Sequence, residues 1–173
     1  GAITNDLFTL YSETTGDNTL PQWSRIEFDP VDVWLGQAPP PLTGSAMFTL
    51  GDSIWISGGE NVNGTLSDTL WRGVVASTGN TPAQTSDPVW NAYPDVPLKR
   101  HCVAVAGNKA IFWGGIKGDD QLAPKELWSL SLDPNATSSS QSLVWQQHGA
   151  KGGPSARFDC AFTGIGDTAY LFG

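Results

Sequence analysis

The chain's 173 residues are 39% apolar, 10% aromatic and only 15% charged, with 20 Gly, 12 Pro and 8 Trp. That aromatic content excludes a solvated coil, and the Gly and Pro content excludes an architecture of long helices. Nine Lys and Arg against 17 Asp and Glu leave a formal charge of −8, without the basic footprint that nucleic acid and anionic membranes demand; no apolar run approaches the roughly 18 residues of a membrane span, so neither a nucleic-acid partner nor membrane insertion is expected of this segment.

The first predicted elements are two strands, one opened by Asp6-Leu7-Phe8 and running to Tyr11, the next from Pro21 to Phe28 around Trp23. A long loop, Asp29 to Thr43, follows, with Val33, Trp34 and Leu35 ahead of Pro39-Pro40-Pro41. Then comes a unit that repeats. An apolar strand, Ala46 to Leu50, turns at Gly51-Asp52 into a second strand that ends in Gly58-Gly59. A tight Gly-Asp or Gly-Asn turn between apolar runs is what a hairpin is expected to show. A third strand opens with Thr69-Leu70-Trp71, and a fourth carries Trp90.

The same order recurs twice. Cys102 to Ala106, Gly107-Asn108, a strand ending in Gly114-Gly115, then Glu126-Leu127-Trp128 and Trp145 form the next unit. Cys160 to Gly164, Gly166-Asp167 and a strand ending at Gly173 begin another. The closing glycines Gly58, Gly114 and Gly173 are spaced by 56 and 59 residues, and a fixed period of this size marks repeated supersecondary units. Arg100 and Arg157 lead into the first strand in two copies, with Gly44 aligned to them in the other. Helical periodicity is absent throughout.

The sequence order of Arg, apolar strand, turn, apolar strand, Gly-Gly, Leu-Trp strand and Trp resembles the kelch repeat, whose units are blades of a β-propeller. The resemblance implies an all-β fold, with kelch-type β-propeller blades of four antiparallel strands in an incomplete ring: a half-blade over 5–28, blades over 44–92 and 100–147, and a half-blade over 157–173. Propellers have typically four to eight blades. The expected partners of the open faces are therefore the remaining blades of a longer propeller or a second copy of the chain.

The resemblance also implies a ligand face, formed by loops after the second strand and before the first. Here that face gathers Glu60, Asn61, Arg100, His101, Lys117, Asp119, Asp120 and Arg157, mixed charges suited to carboxylates or hydroxyls of a protein or glycan partner. Structural use of both arginines, on backbone carbonyls of the adjacent blade, is an at least equal expectation. Trp34 is a candidate partner contact, since an exposed Trp marks an interaction hot spot. Asn63-Gly64-Thr65 and Asn135-Ala136-Thr137 are candidate N-glycosylation sites at Asn63 and Asn135, which point to an extracellular or cell-surface setting.

The function expected is a non-catalytic binding or structural module. Some kelch-type propellers resemble galactose oxidase, a copper enzyme, and that is one alternative; assembly into filaments through open blade faces is another. His101 and His148 are the sole histidines and lack ligands at metal spacing, so no cofactor and no metal are expected. A Cys102–Cys160 disulfide is one expectation if the compartment is oxidising; two buried small apolar residues are the favoured one, because a bridge requires Cα atoms within about 7 Å and innermost strands of neighbouring blades usually stand farther apart.

Overall fold

A computed structural model of the chain describes residues 3–15, 18–26, 28, 30–74, 88–122, 125–133, 135, 143–149 and 152–173. Its order is β1 (Leu7–Thr15), β2 (Asn18–Ile26), α1 (Pro30–Trp34), β3 (Ala46–Leu50), β4 (Ser53–Ser57), β5 (Thr69–Val74) and β6 (Val89–Pro94). Then follow β7 (Cys102–Ala106), β8 (Lys109–Trp113), β9 (Glu126–Leu132), β10 (Leu143–Gly149), β11 (Ala161–Ile165) and β12 (Thr168–Phe172). All pairings are antiparallel between successive strands, giving two four-stranded sheets, β3-β4-β5-β6 and β7-β8-β9-β10, and two hairpins, β1-β2 and β11-β12. Among the described residues the sheets do not close into a ring. The fold is all-β, as expected, with a short helical turn, α1, inside the long loop and a 3-10 turn over Gly118–Asp120.

Alternation explains each inner strand. On β4, Ser53, Trp55 and Ser57 are buried, and on β7, Cys102, Ala104 and Ala106 are buried, so one face of each strand meets a neighbour. The main core lies between the two four-stranded sheets: Phe48, Leu50, Trp55 and Leu70 from one, Ala110, Phe112 and Leu130 from the other. Phe48 meets Phe112 edge-on at 5.5 Å between ring centres. The indole N–H of Trp55, wholly buried, donates to Leu50 O at 3.0 Å, so the one polar atom of that ring is satisfied.

The tryptophan repeat is a repeat of register. Trp23 faces Leu10, Trp90 faces Gly73 and Trp145 faces Leu130, each on the outermost strand of its sheet or hairpin. The glycine doublets serve the joints between sheets. Gly59 N donates to Leu98 O at 2.8 Å and Gly115 N to Arg157 O at 2.9 Å. A Cβ on Gly58 would stand 2.1 Å from Leu98 O, and one on Gly114 2.0 Å from Arg157 O. Only glycine lets the next unit's leading segment approach this closely.

Two details differ from expectation at these joints. The last first strand is Ala161–Ile165, one residue later than Cys160 to Gly164. Correspondingly, the residue equivalent to Arg100 is Asp159, and Arg157 is equivalent to Leu98, whose carbonyl receives the matching glycine bond. Gly44, Arg100 and Asp159 share a left-handed backbone, with φ of 67°, 58° and 52°. They form a chain of hydrogen bonds, Arg100 N to Gly44 O at 2.6 Å and Asp159 N to Arg100 O at 3.0 Å.

The cysteines are bridged, which decides the open alternative in favour of the disulfide and against two buried unpaired residues. Cys102 opens β7, whereas Cys160 lies one residue ahead of β11, and the Asp159–Arg100 bond draws these leading segments together. Their Cα atoms stand 5.7 Å apart, inside the span a disulfide requires.

Candidate functional site

At one end of each sheet the backbone adds a small ribbon. Thr43 and Glu60 exchange two hydrogen bonds of 2.9 Å, and Lys99 and Ile116 exchange bonds of 3.0 and 2.8 Å. Glu60 then bridges to Leu66, and Ile116 to Leu122. These ribbons and the left-handed residues of three successive units frame a cleft of about 460 Å³ lined by Thr43, Gly44, Glu60, Lys99, Arg100, Ile116, Asp120 and Asp159.

Five ionisable side chains meet there. Lys99 Nζ lies 2.8 Å from Glu60 Oε2 and 2.9 Å from Asp120 Oδ1. The hydrogen bond to Glu60, then that to Asp120, pushes the ammonium pKa up, so the lysine is charged. Arg100 Nε donates to Asp159 Oδ2 at 2.8 Å, a second guanidinium nitrogen reaches the same oxygen, and the guanidinium lies 4.4 Å from the ring centre of Phe158. That hydrogen bond holds the Asp159 carboxyl below its usual range. The Arg100 stem crosses Gly44, where a Cβ would stand 2.9 Å from Arg100 Cγ.

Of the expected face, the structure brings Glu60, Arg100 and Asp120 together and adds Lys99 and Asp159. Sequence reasoning passed over both additions: Lys99 had the signal of standing beside Arg100, and Asp159 was hidden by the alignment of Arg157 with Arg100. Asn61 is a turn residue, its Oδ1 accepting from Asn63 N at 2.9 Å and Thr65 N at 3.0 Å. Lys117 pairs with Glu126 at 3.8 Å. Arg157 donates to Ser155 O at 3.1 Å and to the Gly173 carbonyl, both in its own unit and not in an adjacent one. Asn63 and Asn135 are exposed. The side chains of Trp34 and Asp119 lie outside the described residues.

His101 is not on this face. Its side chain turns inward, 7% exposed, with its ring 5.9 Å from that of Phe112 and neither ring nitrogen bonded. Burial alone lowers its pKa to about 4, so the ring is neutral. Beside it is a cavity of about 10 Å³ walled by Ser57, Asp95, Leu98, Phe112 and Trp145. Asp95 accepts from Ser57 Oγ at 2.7 Å and from the backbone N–H groups of Gly58 and Val96, each at 2.8 Å, while burial raises its pKa.

A larger groove, about 640 Å³, runs along β6 past Phe28, Asp32, Gln37 and Trp90. Asp32 is its one ionisable lining residue, against five in the cleft, so the cleft has the chemistry for selective polar recognition. It offers guanidinium and ammonium donors beside three carboxylate acceptors, and its lining holds no histidine, cysteine or tyrosine. Among the described residues no three His, Cys, Asp or Glu side chains are grouped to hold a metal ion. No family model and no curated protein matches the chain.

Proposed function

We propose that the chain forms blades of a kelch-type β-propeller and acts as a non-catalytic extracellular binding module, holding a protein or glycan partner in the cleft of Glu60, Lys99, Arg100, Asp120 and Asp159. One observation carries the reading: three successive units each contribute their leading segment, at the same left-handed position, to a single charged cleft. Equivalent bonds between successive sheets, Gly59 to Leu98 and Gly115 to Arg157, support the radial array of like blades that such a scaffold requires.

The mechanism is rigid display. Packed sheets and a disulfide hold the loops, so a partner meets preformed donors and acceptors and little ordering is required on binding. Charges of both signs suit vicinal hydroxyls or a peptide's own charged side chains. The disulfide and the exposed sequons at Asn63 and Asn135 support an oxidising, secretory setting.

Oligosaccharide and peptide arrays probed with the unaltered chain and with Arg100→Ala test the reading. Signals lost in the variant are expected; equal signals from both proteins, or none from either, refute it. Stoichiometric copper in protein expressed with added copper would replace it with the oxidase alternative.

A further inference from the structure

Among the described residues, three that are not glycine have a left-handed backbone: Arg100, Asp120 and Asp159, with φ of 58°, 54° and 52°. All three line the charged cleft. In this conformation a Cβ crowds the following carbonyl oxygen, so any side chain there is held at a cost. Such strain gathers where a ligand is gripped.

The repeat supplies an internal control at both kinds of position. Gly44 stands where Arg100 and Asp159 stand in the later units, at φ 67°. Asp120 has a glycine counterpart too, and the ribbons set the register. Glu60 bridges to Leu66 as Ile116 bridges to Leu122, and Asn61 N donates to Thr65 O at 3.0 Å as Lys117 N donates to Gln121 O at 2.8 Å. Asp120 therefore matches Gly64, whose φ is 80°. Glycine adopts this backbone without strain, so the fold needs the conformation and not the side chains. Where side chains replace glycine, all are charged and all enter one cleft. Their ion pairs do not explain them. Asp120, Asp159 and Arg100 are 82%, 51% and 44% exposed, and exposed pairs return less than the strain of three left-handed residues.

We infer that Arg100, Asp120 and Asp159 are the specificity-determining contacts of the cleft, kept at positions the fold would fill with glycine because the partner is recognised by their side chains. Lys99 and Glu60, whose backbones are not left-handed, are positioning residues: Lys99 holds Asp120 through Oδ1, and Glu60 holds Lys99. Both guanidinium bonds of Arg100 go to Oδ2 of Asp159. The second carboxylate oxygen of each aspartate is thus left to accept from a partner's donor. The inference rests on the cleft being the binding site, whereas the comparison of stabilities below does not depend on it.

Arg100→Gly, Asp120→Gly and Asp159→Gly are compared with the unaltered chain in thermal unfolding and on oligosaccharide and peptide arrays. Each variant is expected to melt at or above the unaltered midpoint, by up to about 4 °C, because relief of strain offsets the lost ion pair and the freer unfolded chain. Each is expected to capture the strongest array probes about tenfold less well. Exchanging the pair, Arg100→Asp with Asp159→Arg in one chain, keeps opposite charges on two matched backbones and reverses their direction across the cleft. That exchange is expected to reorder the probes captured while the midpoint holds, which a merely structural pair would not do. A midpoint lowered by more than about 4 °C in the glycine variants, capture undiminished in them, or an unchanged order of probes after the exchange overturns the inference and leaves the cleft a binding site. No capture by the unaltered chain on either array overturns the binding reading itself, and this inference with it.

Discussion

Arg100 and Asp159 occupy the same position of two successive units and are joined twice, by backbone and by side chain. Asp159 N donates to Arg100 O at 3.0 Å, and Arg100 Nε donates to Asp159 Oδ2 at 2.8 Å. The repeat places the two backbones; divergence at one position then puts opposite charges side by side. Both side chains are about half exposed, 44% and 51%, so solvent screens the pair and it adds little to stability. Asp159→Ala is expected to lower the thermal midpoint by no more than about 4 °C while weakening capture of the cleft's partner by about tenfold. A large fall in the midpoint with binding unchanged would make the pair a structural tie instead.

The strand framework was legible because hairpins are local. The turns at Gly51, Gly107 and Gly166 and the tryptophans of the outer strands announce themselves within a few residues, and β3 and β7 begin and end where the pattern places them. What depended on the neighbouring unit was not legible. Arg157 shares a side chain with Arg100 but not a backbone position, and conformation, rather than residue type, defines the equivalence. His101 stands one residue before an alternating strand, where sequence does not say which way the ring turns; Phe112 in the sheet gives it an apolar wall. The disulfide stayed open in the sequence for the same reason, since it depends on how far apart two sheets are held.

Gly58 and Gly114 are the positions where a single methyl group is expected to do most harm. Each has positive φ, 59° and 67°, and each Cβ would fall about 2 Å from the next unit's carbonyl oxygen. Gly58→Ala and Gly114→Ala are therefore expected to destabilise the fold by roughly 3 kcal/mol or more, through backbone strain together with a broken joint. Gly118→Ala is the control, since no atom stands within 4 Å of the added carbon and φ is not in the left-handed range. Urea midpoints compare the three; equal, small shifts would remove the doublet glycines from the account of how sheets join.

The Cys102–Cys160 bridge ties β7 to the segment ahead of β11 across 58 residues of sequence. Closing a loop of that length restricts the unfolded chain by about 4 kcal/mol in the entropic picture. Cys102→Ala with Cys160→Ala is expected to lower stability by roughly 2–5 kcal/mol. A thiol titration of the native protein that finds reactive cysteines, or a urea midpoint indifferent to reductant, would show the bridge to be absent or without consequence.

Stability is expected to fall in mild acid because of His101. Its folded-state pKa, about 4, lies below the roughly 6.5 of an unfolded histidine. Between those values the unfolded chain binds the proton and the folded chain does not, so protonation favours unfolding. The stability present above pH 6.5 is thus lost progressively as pH falls towards 4, by roughly 3 kcal/mol in all. Asp95 acts in the opposite sense: burial raises its pKa, so the folded state takes up that proton first and offsets part of the loss as pH falls. His101→Phe keeps an aromatic ring against Phe112 and removes the titration. Urea unfolding from pH 7 to pH 4 should therefore show a shallower decline in the variant than in the unaltered chain. Parallel curves would mean that His101 reaches water in the folded state, and that the joint between the sheets opens more readily than its packing indicates.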